Sequence, residues 1–125
     1  MFESGIVQAA QHQYLATRKQ CSVQREGWVF SGGTDKADGA ALTTIQFAQR
    51  KARQAALYRK PSKSAQDALA GGNMAVLAFP DSFPNQGGVP IIVDGHTIGA
   101  IACSGAASEV DEAIAQLAVD TLLGK

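Results

Sequence analysis

The chain has 125 residues, 46% of them hydrophobic and 18% charged, with 13 glycines and 4 prolines. One domain over 1–125 fits that length, and the apolar share excludes a disordered chain. Eleven basic residues balance 11 acidic ones, and no apolar stretch reaches the roughly 18 residues of a membrane span, so neither a nucleic-acid nor a membrane partner is expected.

Ile6, Val7, Ala9, Ala10, Tyr14 and Leu15 fall at helical spacing, which predicts a short helix from about Ser4 to Thr17 with Ser4 as its cap. Gln20 to Phe30 reads as two short strands around an Arg25-Glu26-Gly27 turn. Ser31-Gly-Gly-Thr-Asp35 and Asp38-Gly39 read as loop, because glycine reaches backbone angles that other residues avoid.

Leu42, Ile45, Ala48, Ala52, Ala55 and Ala56 form a small-residue stripe, predicting a helix from about Thr43 to Tyr58 that lies close on a sheet. Gln49, Arg50, Arg53 and Gln54 fall on its solvated side, and Pro61 stops it. Ser62 or Ser64 is expected to cap a second helix through Ala70, ended by Gly71-Gly72. Met74 to Phe79 is an apolar run of strand length before Pro80.

Gly87 to Val93 then leads into Asp94-Gly95, a turn whose two positions must both accept positive φ, and His96 to Ser104 returns as the partner strand. Thr97, Gly99, Ile101 and Cys103 share one face; Ile98, Ala100 and Ala102 share the other. Ser108-Glu-Val-Asp111 is a helix start, and Val110, Ile114, Leu117, Ala118 and Leu122 continue it to Gly124. A central, mainly antiparallel sheet flanked by helices follows, an α+β arrangement.

Cys21 and Cys103 stand far apart with no second pair, so neither a disulfide framework nor a four-cysteine zinc site is expected, and the chain reads as cytoplasmic. Cys103 reads as a small hydrophobe. It lies about 23 Å along one strand from His96, too far for a thiol–imidazole pair. His12 reads as a surface residue. His96 follows the turn at an exposed corner, where it could ligate a haem iron or a metal if a neighbouring subunit covered it.

Ser104 lacks the flanking glycine of a nucleophile elbow and instead closes a turn or donates a hydrogen bond at the mouth of a cleft. Gly87-Gly88 lets main chain approach another group, either as a strand-entry kink or as a pocket wall with free N–H donors, and Pro90 suits a strand edge. Lys51 departs from the polar helix face, toward a carboxylate. Asp111 is either a helix cap or an acid/base group.

Asp38-Gly-Ala40, Ala48-Gln-Arg-Lys-Ala52, Gly87-Gly-Val-Pro-Ile91, Asp94-Gly-His-Thr-Ile-Gly-Ala-Ile101, Ser104-Gly-Ala106 and Asp111-Glu112 together resemble the GlcG/HbpS-type haem-binding family, which includes the C-terminal domain of PduO-type proteins. The likeness runs from about Ala37 to Leu123, and the first 36 residues look divergent. Ala102-Cys103 stands where the family usually has Gly-Val before Ser-Gly.

The resemblance implies an oligomeric α/β domain, haem or a related tetrapyrrole as ligand, and accessory roles in small-molecule catabolism. It puts the family motifs on Lys51, Gly87, Gly88, Pro90, Ser104, Gly105 and Asp111, which with His96 are the candidate cofactor-binding residues. The leading expectation is thus a homo-oligomeric accessory protein that binds a small molecule. A structural assembly protein is the alternative, and an enzyme on a small hydroxy or keto acid, using Lys51 and Asp111, is a third.

Overall fold

A computed structural model describes residues 20–25 and 34–35 as backbone and residues 43–125 with their side chains. The helix expected near Ser4 to Thr17, His12, and the strand arm at 28–30 lie outside the described residues. Chain order runs β1 (Gln20–Arg25), β2 (Thr34–Asp35), α1 (Thr43–Tyr58), α2 (Lys63–Ala70), a 3-10 helix (Met74–Ala78), β3 (Gly88–Val93), β4 (His96–Ser104) and α3 (Ser108–Leu122). The sheet order is β2-β1-β4-β3, with every neighbouring pair antiparallel.

Alternation along β4 gives each face its own helix. Ala100 packs with Ala55 and Ala56 of α1. Ile101 and Cys103 join Val89 and Ile91 of β3 in a cluster with Ile114, Ala115, Ala118 and Val119 of α3. The alanine stripe explains the close seat of α1: Ala48, Ala52 and Ala55 have no exposed surface at all. Asp94 (φ 51°) and Gly95 (φ 78°) both adopt positive φ, as the hairpin requires.

Three expectations are corrected. Met74–Ala78 is a 3-10 helix rather than a strand. Asn73 accepts a hydrogen bond from the Ala75 N–H and starts the turn, and the apolar run leaves Met74 and Leu77 exposed. Thr34–Asp35, expected as loop, pairs with β1 through Cys21↔Asp35 and Ser22↔Thr34. Ser62 does not cap α2 with its side chain; its hydroxyl is used elsewhere.

Candidate functional site

Lys51 is the centre of the site. It sits on the buried side of α1 and sends its side chain past the start of β3 to the far face of the sheet. There Nζ donates to Asp111 Oδ2 at 3.1 Å and to the Cys103 carbonyl at 3.2 Å. Both partners of this ion pair are closed to solvent, at 2% and 1% exposure. The pair therefore joins α1 on one face to the first turn of α3 on the other. A buried charge is tolerable here because each has a partner of opposite sign and a further hydrogen bond. For Asp111 that further bond comes from the Ala106 N–H to Oδ1, at 3.2 Å.

Gly87 and Gly88 make room for this strut. A Cβ on Gly87 would fall 2.8 Å from Lys51 Cδ and 2.9 Å from Nζ, so the missing side chain is the passage that Lys51 uses. Gly87 also takes φ 141°, in the region that favours glycine. A Cβ on Gly88 would run into the backbone of Lys51 itself. The expected pocket wall is thus corrected. The main chain at Gly87-Gly88 faces its own lysine, and the free donor at Gly88 is taken by the Ser62 hydroxyl.

Ser62 is a site residue that sequence reasoning missed. Its Oγ accepts from the Gly88 N–H at 2.9 Å and donates to the Asn85 carbonyl at 2.6 Å, and its own N–H donates to the Gly88 carbonyl at 3.0 Å. A serine after a helix-ending proline looks like a cap, and nothing local distinguishes the two uses. Gln54, expected on the solvated side of α1, is buried and accepts the Phe83 N–H at 2.8 Å. Arg50 and Arg53 also do more than face water. Arg50 lies 4.6 Å over the Phe83 ring and Arg53 pairs with Asp81 at 3.2 Å, holding the loop before β3 on α1.

Ser104 is buried at the end of β4, and Gly105 (φ 121°) turns the chain toward α3. With Lys51, Gly87, Gly88 and Asp111 they gather at one end of the sheet. His96 and Pro90 do not join them. His96 is exposed at the other end of β4, about 26 Å away along the strand. Pro90 lies on β3, one of the two edge strands of the described sheet.

Cys103 also differs from its expected solitary role. It is disulfide-bonded, and the register sets the chain's other cysteine, Cys21, directly opposite it.

A family model described as "Haem degrading protein HbpS-like" matches residues 6–120. This chain belongs to the HbpS-like family. The match begins at residue 6 and so takes in most of the first 36 residues, beyond the stretch from about Ala37 to Leu123 that carries the resemblance. Protein GlcG of Escherichia coli K12 is 36% identical over 69 residues. The chain spans about half the length of that curated relative, 52% of it against 55% of this chain.

Solved structures share the fold. Klebsiella pneumoniae protein ORFY superposes with a TM-score of 0.87 at 20% identity, covering 99% of this chain and 89% of that one. PduOC, solved as a complex with haem, superposes at 0.79 with 21% identity, covering 93% and 88%. Among the described residues no helix is long and apolar enough to cross a membrane.

Proposed function

We propose that this chain is a homo-oligomeric accessory protein that binds haem or a related tetrapyrrole. The family match over residues 6–120 carries the reading, since that family is described by its action on haem. The PduOC complex supports it as an example of the same fold with haem bound. A cytoplasmic location and a role beside small-molecule catabolism belong to the same proposal.

Two surface clefts lined by described residues measure about 190 and 240 Å³, below the 300–1,000 Å³ usual for ligand pockets, and neither is large enough alone to take a haem. The space at Gly87-Gly88 is filled by Lys51. In this reading the ligand surface is completed by a second copy or by residues outside the described set. Lys51, Gly87, Gly88, Ser104, Gly105 and Asp111 fix the sheet end behind it. His96, exposed beside the hairpin turn, is the side chain that would offer an iron ligand. Ile92 at 47% and Val93 at 36% exposure, beside Pro90 on β3, favour association of copies.

An acid/base role for Lys51 and Asp111 has the convergence it requires but no access for substrate, which favours the non-catalytic reading.

Haem titration tests it. Purified full chain at micromolar concentration is expected to shift the Soret band saturably, and His96→Ala to weaken that binding. No shift with the unmodified chain overturns the proposal. A saturable shift untouched by His96→Ala removes His96 alone from it.

A further inference from the structure

Cys103 sends both of its backbone groups toward β3. Its N–H donates to the Gly87 carbonyl at 3.3 Å, and its carbonyl accepts from Lys51 Nζ. In an antiparallel strand these two groups point the same way, so Cys103 has none directed at β1. The Cys21↔Cys103 pair is therefore of the non-hydrogen-bonded type. Such residues have Cα atoms about 4.5 Å apart, inside the range that a disulfide spans. The flanking register pairs, Gln20↔Ser104 and Ser22↔Ala102, continue the ladder on either side, and six pairs in all join β1 to β4. Backbone pairing thus sets the two cysteines face to face.

We propose that Cys21 and Cys103 are a reversible thiol–disulfide site that locks β1 onto β4 in response to a low-molecular-weight disulfide. In the closing step a thiolate of the reduced chain attacks the external disulfide, releasing one small thiol and leaving a mixed disulfide. The second cysteine thiolate then displaces the other small thiol. Two protein thiols lose two electrons and two protons, and one small disulfide becomes two small thiols. Cys103 has no exposed surface, which suits it to the resolving step rather than to the first attack. The bond closes beside the carbonyl that holds Lys51, tying the β1 side of the sheet to the buried ion pair. This site is independent of haem, and its test needs none.

The full chain, equilibrated in glutathione buffers of graded redox ratio, is quenched by alkylation and weighed as the intact protein. Two alkyl groups are expected at the reducing end and none at the oxidising end, without dimer formation. The midpoint of thermal unfolding should rise by about 10 °C on oxidation. Cys21→Ser and, separately, Cys103→Val should each abolish the redox dependence of that midpoint. Persistence of two alkylatable thiols under oxidising conditions overturns the proposal. So does a bond that excess dithiothreitol leaves closed in the native protein, or oxidation that yields linked dimers.

Discussion

Gly88 stands so close to the backbone of Lys51 that a methyl group on its Cα would lie 2.8 Å from the Lys51 carbonyl carbon. Neither neighbour can yield cheaply, since one is a strand and the other the middle of a helix. Gly88→Ala is accordingly expected to push α1 off the sheet and cost about 3 kcal/mol. Denaturant unfolding would measure it. A loss under about 0.5 kcal/mol would show that α1 has room to move.

The ion pair beneath that contact makes a two-sided forecast. Lys51→Met leaves the Asp111 carboxylate buried without its cation and should cost about 3–5 kcal/mol. Asp111→Leu should cost a similar amount for the converse reason. The double variant should be markedly less damaged than the two losses added, because no charge is then left alone. Additive losses in the cycle would mean that the two side chains do not depend on each other.

Ser62 offers a milder test. Replacing it with alanine leaves the Gly88 N–H and the Asn85 carbonyl without the hydroxyl that serves both. A loss of about 1–3 kcal/mol is expected. Hydrogen exchange should quicken first at the Gly88 amide; unchanged exchange there would argue that water replaces the hydroxyl at no cost.

Gly95 reports on the hairpin alone. At φ 78° an alanine meets no neighbour but adopts a backbone angle unfavourable to it, so Gly95→Ala should cost about 1 kcal/mol. The α1 and α3 contacts would be untouched, and thermal unfolding should stay a single transition. A second transition would reveal that the hairpin is not part of one cooperative unit.

Periodic segments were legible from sequence: the α1 stripe, the β3–β4 hairpin and α3 all lie where spacing and turn chemistry put them. Met74–Ala78 was not, because a five-residue apolar run carries no period to separate strand from 3-10 turn. Lys51 stood out as a cation off its polar face, and Asp111 as an acid in a first helical turn. Their meeting depends on a passage opened by Gly87, some 36 residues further along than Lys51, which no local pattern encodes. The same reason hid the pairing of Cys21 with Cys103. Only β1 lying against β4 brings them together.

Pro90 has a wider consequence. Gly88 turns its N–H and carbonyl outward to Ser62, so by alternation Pro90 presents its nitrogen on the same outer side of β3, where it has no hydrogen to donate. A shift in pairing between Ile91 and Ile92 interrupts that margin again two residues later. A rim blunted in this way resists runaway stacking of strands from molecule to molecule, the route to fibres. Association along this rim would rest on side chains rather than on a continued hydrogen-bond ladder.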